Sequence, residues 1–191
     1  GRSAIVFDTL TRILRYKFKN IIYARNITDV DDKIINASDE EDLEVSEITK
    51  KYTKQYHEDF KKLNVLSPDI EPFATDHINE MINFINELIS NKNAYISKAH
   101  VLFDVSSFSE YGNLSGRKIE DMMPGSRVHV EDYKKGSSDF VLWKPSAENE
   151  IGWESPWGRG RPGWHLECSA MIKKNLGETI CLLYTSASPR D

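Results

Sequence analysis

An α/β fold, with a parallel-sheet core interrupted by an α+β insertion, is what this sequence predicts, and three observations carry the prediction. Helical periodicity and short strand-like runs alternate at both ends of the chain. A mixed, turn-rich stretch separates those ends. The final helical pattern opens on the turn Pro162-Gly163, which a strand-to-helix connection requires.

Taken in order, Ile5, Val6, Leu10, Ile13 and Leu14 form one stripe across residues 4–17, with Thr11, Arg12 and Arg15 off it. That pattern predicts an amphipathic helix of about four turns, closed by Asn20. Ile21-Ile22-Tyr23-Ala24 then reads as a short buried strand, so helix and strand make half of a βαβ unit. Residues 40–63 are charged and free of Pro and Gly, which predicts one extended helix ending near Asn64. Pro68 and Pro72 mark a connection, and Ile78, Met81, Ile82, Ile85, Leu88 and Ile89 set a second helix within 75–92. Ala94–Ile96 and His100–Val105 read as strands, Arg127–Val130 as a further one, and Phe140–Trp143 as another. The helix after Pro162-Gly163 runs through Leu166, Ala170, Met171 and Leu176 to Gly177.

Composition narrows the class. The 191 residues are 39% hydrophobic and 29% charged, an ordinary globular balance. No apolar run approaches the ~20 residues of a membrane span, and no basic-then-apolar leader suggests secretion. The two cysteines, Cys168 and Cys181, are too few for a disulfide framework, so a reducing compartment is expected. Net charge is −5, and basic residues fall in scattered pairs such as Lys50-Lys51 and Lys173-Lys174. Composition by itself does not point to nucleic acid.

The richest stretch is Gly160-Arg161-Pro162-Gly163-Trp164-His165-Leu166-Glu167-Cys168-Ser169-Ala170-Met171. Trp164 and Cys168 are four apart and share a helix face, with His165 beside them. A thiol, an imidazole and an indole together suit recognition of a small polar molecule with a soft metal nearby. Each residue also has a plainer reading. A lone cysteine on such a helix is a small hydrophobe, and no second cysteine stands at zinc-ligand spacing. Trp164 could be a packing anchor. Thr28 follows a buried strand, where open α/β folds place ligands, but it also suits a helix N-cap. Asp29, Asp31 and Asp32 fit a solvated helix N-terminus better than a metal cluster. His57, His77, His100 and His129 show no ligand spacing and read as structural.

The Gly160–Met171 stretch resembles the signature of the cysteinyl-tRNA synthetases, within class I of the aminoacyl-tRNA synthetases. Arg25-Asn26-Ile27-Thr28-Asp29-Val30-Asp31-Asp32-Lys33-Ile34-Ile35 is similar to the segment after the second strand of that family's nucleotide-binding fold. Phe73–Ile78, Phe103–Val105, Tyr111–Ser115, Asp139–Lys144 and Trp153–Gly158 match it in order, and the likeness covers roughly residues 1–180.

The resemblance implies a Rossmann-like (HUP-type) parallel-sheet core. Residues 1–65 would form its first part, 66–145 a connective insertion, and 146–180 the return with the signature helix. Residues 181–191 depart from the family pattern and are expected to be a non-native tail. The family's His-x-Gly-His tetrad, its Lys-Met-Ser-Lys-Ser loop and its anticodon-binding region have no counterpart in these 191 residues. No catalytic residue is therefore assigned, and the fragment alone is expected to be inactive. Thr28, Trp164 and His165 are implied as substrate-binding residues, and Cys168 as one ligand of a Zn²⁺ ion. The implied parent is a cytoplasmic ligase acting on cysteine, ATP with Mg²⁺ and tRNA(Cys). Two rivals are a paralogous cysteine-adenylating ligase with an amino-sugar acceptor and a non-catalytic binding module.

Overall fold

In the computed structural model, residues 2–113, 115–116 and 131–181 are described. The expected strand at 127–130, His129 and all but the first residue of the expected tail lie outside them. The chain divides into two units, one of residues 1–76 with 171–191 and the other of residues 77–170.

The first unit begins with α1 (Arg2–Lys17). Its apolar stripe does not face inward as its periodicity predicts: Ile5, Val6 and Ile13 are exposed, while Asp8 and Thr11 are buried. The attachment is polar. Asp8 accepts the Leu66 N–H at 2.9 Å and Arg12 Nε at 2.8 Å, and Arg12 donates onward to the Asn64 carbonyl at 2.8 Å. Asp69 accepts from both Arg15 (2.6 Å) and the Tyr23 N–H (2.7 Å).

The segment after α1 pairs in parallel with residues 69–74, through bridges at Ala24–Ile70 and Ile27–Phe73. Arg25 N–H donates to the Ile70 carbonyl at 3.0 Å, Ile27 N–H to Pro72 at 2.9 Å, and Ala74 N–H back to Ile27 at 3.1 Å. The pairing is parallel, as the βαβ reading requires, but the expected buried strand Ile21–Ala24 is not formed: only isolated bridges occur and Ile22 is 67% exposed.

Helix α2 (Asp32–Glu41) is capped by Asp31, whose carboxylate accepts the Lys33 N–H at 2.8 Å. The predicted helix over 40–63 is in fact the end of α2 and a separate α3 (Val45–Lys62). The break lies at Asp42, left-handed at φ 53°, with its N–H on the Ser38 carbonyl. Beyond it Glu47 caps α3 by accepting the Glu44 N–H at 3.3 Å. Neither device needs Gly or Pro, so the break left no breaker residue to read.

In the second unit, α4 (Ile78–Ser90) follows a 3₁₀ turn at Thr75–His77 and buries Ile78, Met81 and Ile85. Strands β1 (Ala94–Ser97), β2 (His100–Phe103), β3 (Phe140–Pro145) and β4 (Gly160–Pro162) form an antiparallel sheet in that order. Lys98 and Ala99 both have positive φ, 46° and 62°, as a two-residue hairpin turn demands. Val101, Leu102, Leu142 and Trp143 of the sheet form the core with Leu166 and Ala170. The last two belong to α5 (Trp164–Leu176), which ends at Gly177 with φ +92°. Among the described residues no helix is long and apolar enough to cross a membrane.

Candidate active site

Thr28 sits one residue beyond the Ile27–Phe73 bridge, at the carboxyl end of the parallel pair. It is not a helix cap, because Asp31 takes that role. Asn26, Thr28, Tyr52 and Tyr56 line a cavity of about 290 Å³, with Ile34 and Ile48 as part of its apolar lining. Asn26 Nδ2 lies 3.4 Å from Thr28 Oγ1. Asp29, also at the cavity, is only 7% exposed and is held by Thr75 rather than solvated. The lining thus offers hydroxyl and amide groups whose hydrogen-bonding direction can adapt to a zwitterionic or neutral polar ligand.

Behind the cavity, α3 is fixed to the parallel pair by a charged cluster. Arg25 lies 5.3 Å from the centroid of the Tyr56 ring and 5.0 Å from that of Phe60. Its guanidinium is 3.7 Å from Glu71, whose other oxygen is 2.6 Å from His57 Nε2. Burial, aided by the negative charge of Glu71, raises the Tyr56 hydroxyl to about 12, against the opposing pull of Arg25. That hydroxyl stays protonated at neutral pH. A neighbouring open groove of about 440 Å³ shares Thr49 and Thr53 with this cavity and carries Lys50, Lys54 and His57.

In the second unit, α5 starts where it does because Gly163 lies against β3. A Cβ at Gly163 would fall 2.0 Å from the Val141 carbonyl oxygen. The Gly163 N–H donates to the Leu142 carbonyl at 2.8 Å. From that start, Leu166 and Glu167 turn inward, and Trp164, His165 and Cys168 lie on the exposed side. The Trp164 and His165 rings are 5.2 Å apart, and His165 is 4.9 Å from Phe140, which stacks on Phe103 at 5.1 Å. The predicted Trp164–Cys168 face is therefore real and open to solvent.

The Cys168 thiol reaches the surface, but protein crowds it enough that desolvation, with the adjacent Glu167 charge, raises its pKa. It offers one soft donor suited to a thiophilic metal. Four-coordinate zinc needs three more ligands, and the described residues hold no cluster of three metal-binding side chains.

The structure thus gathers Trp164, His165 and Cys168 on α5, and Thr28 with Asn26, Tyr52 and Tyr56 in the first unit. The two tyrosines were not singled out from sequence. Their spacing of four on a polar helix, with Thr49 and Thr53 on the same side, was the available signal. Arg25 and Glu71 left none, being 46 residues apart.

Parallel bridges with a cavity at their carboxyl end in one unit, and an antiparallel sheet in the other, fit an α/β domain carrying an insertion. The chain belongs to the class I tRNA synthetase (C) catalytic-domain family, whose model matches residues 1–184. It is 59% identical over 180 residues to the cysteine–tRNA ligase of Parvibaculum lavamentivorans, covering 94% of this chain and 38% of that protein. It is 56% identical over 182 residues to the cysteine–tRNA ligase of Maricaulis maris, covering 94% and 40%. For that of Saccharophagus degradans the identity is 54% over 180 residues, covering 94% and 39%. The chain spans about two-fifths of the length of these curated relatives.

Proposed function

We propose that the chain is part of the catalytic domain of a cytoplasmic cysteine–tRNA ligase. The observation that carries this is the exposed Trp164–His165–Cys168 face within a chain so similar to proteins of that name. In the parent reaction the cysteine carboxylate attacks the α-phosphorus of ATP. The bond to the β-phosphate breaks, and pyrophosphate leaves with Mg²⁺. The terminal ribose hydroxyl of tRNA(Cys) then attacks the carbonyl carbon, losing its proton as AMP departs. Positioning and charge stabilisation supply most of such catalysis. The names of the relatives favour tRNA over an amino sugar as acceptor.

In this reading Thr28 holds the amino or carboxylate group of cysteine, with Asn26 orienting its hydroxyl. Trp164 and His165 are likewise read as substrate-binding residues. Cys168 supplies one ligand to a zinc ion whose other ligands come from outside these residues. Bound zinc would discriminate thiol from hydroxyl, because it takes thiolate far more readily than an alcohol. An apolar pocket alone cannot make that distinction strongly.

The test is Cys168→Ser in the full-length protein, with zinc content and cysteine-dependent ATP–pyrophosphate exchange measured together. Serine is nearly isosteric, so the fold is expected to survive while metal content and cysteine selection fall. Normal zinc content with normal exchange would return Cys168 to a packing role.

A further inference from the structure

We propose that Glu71 is a positioning residue for the Thr28 cavity, acting through Arg25 and His57 on helix α3. The inference rests on the reading of that cavity as the cysteine site.

The cavity is lined from three places. Asn26 and Thr28 come from the segment after α1, Ile34 from α2, and Ile48, Tyr52 and Tyr56 from α3. Its shape therefore depends on how firmly α3 is held to the segment after α1. Ile48 is the one fully buried residue of α3, with Tyr56 and Phe60 half-buried on the same face. The charged cluster adds a second tie. Glu71 contacts Arg25 at 3.7 Å on the neighbouring segment and His57 at 2.6 Å on α3. Arg25 in turn faces the rings of Tyr56 and Phe60.

Arg25 depends on this arrangement. Its side chain is 16% exposed, and its Nε and Nη1 have no hydrogen-bond partner. The Glu71 carboxylate at 3.7 Å and the aromatic faces compensate its charge, with a further contribution from the Asp8 carboxylate. Neutralising Glu71 removes the carboxylate charge at 3.7 Å from Arg25 and at the same time weakens the tie to His57. Both effects loosen the wall carrying Tyr52 and Tyr56. Glu71 does not line the cavity, so it acts on substrate only through these neighbours.

The test is Glu71→Gln in the full-length enzyme, with KM for cysteine and kcat read separately in ATP–pyrophosphate exchange. KM is expected to rise by about tenfold with kcat changed less than threefold, as loss of ground-state positioning requires. His57→Asn, at a half-exposed position, is expected to raise KM in the same direction by a smaller factor with the fold retained. The double variant is expected to fall short of the product of the two factors. Unchanged KM in both single variants, or a fall in kcat alone matching the loss of folded protein, would overturn the proposal. Absence of exchange in the wild-type enzyme would overturn the cysteine-site reading instead. Hydrogen exchange across residues 49–57 then decides the clamp: faster exchange in Glu71→Gln supports it, and an unchanged rate rejects it.

Discussion

Asp29 accepts two hydrogen bonds from Thr75, one from its backbone N–H at 3.0 Å and one from its hydroxyl at 2.5 Å. The pair joins the residue next to Thr28 to the end of the neighbouring parallel segment, and Asp29 is buried while doing so. Asp29→Ala strands the Thr75 N–H, which is expected to cost about 1–3 kcal/mol. Thr75→Val removes only the hydroxyl bond and is expected to cost less than the alanine variant. Urea unfolding of both variants checks the order.

Acid is expected to loosen α1. Asp69 lies below its ordinary pKa because the Tyr23 N–H, and then Arg15, favour its ionised form over the opposing desolvation. For Asp8, desolvation is the largest influence and acts upward, but Arg12 and the Leu66 N–H together outweigh it. A depressed folded-state pKa stabilises above the unfolded value and loses that contribution as pH falls through the folded one. Thermal midpoints are thus expected to be level above about pH 5 and to drop below about pH 4. Asp69→Asn is expected to be less stable than wild type at pH 7, with the gap closing toward pH 3. A gap that stays constant would contradict the assignment.

What the sequence made legible was periodic and local. The Ile78–Met81–Ile85 face of α4 is buried as its spacing predicts, and Trp164 and Cys168 share an exposed face because four residues separate them. What escaped was non-local. The stripe of α1 gave its helix correctly but its orientation wrongly, since Asp8 binds Leu66, 58 residues away. Asp29 looked solvated because its partner Thr75 is 46 residues distant. Thr28 was a credible cap by residue type, and backbone geometry gives the cap to Asp31 instead.

Gly163 admits no side chain. With a Cβ placed 2.0 Å from the Val141 carbonyl oxygen, Gly163→Ala must push α5 away from β3. A loss of about 1–3 kcal/mol is expected. Calorimetry is expected to show a midpoint several degrees lower, and an unchanged midpoint would mean that the close approach is not maintained.

The 191-residue chain by itself is expected to give no cysteine-dependent ATP–pyrophosphate exchange, because it spans only about two-fifths of the length of the cysteine–tRNA ligases it resembles. Exchange clearly above a no-enzyme control would show that these residues already hold a complete activating site.

The central claim concerns what the whole protein joins to what. Its most direct test is charging of tRNA(Cys) by the purified full-length protein, with labelled cysteine or labelled serine supplied with ATP and Mg²⁺. The account predicts cysteine on the 3′ end of the tRNA, strict dependence on ATP, and no detectable serine. Failure to charge cysteine, or charging serine equally well, would contradict it.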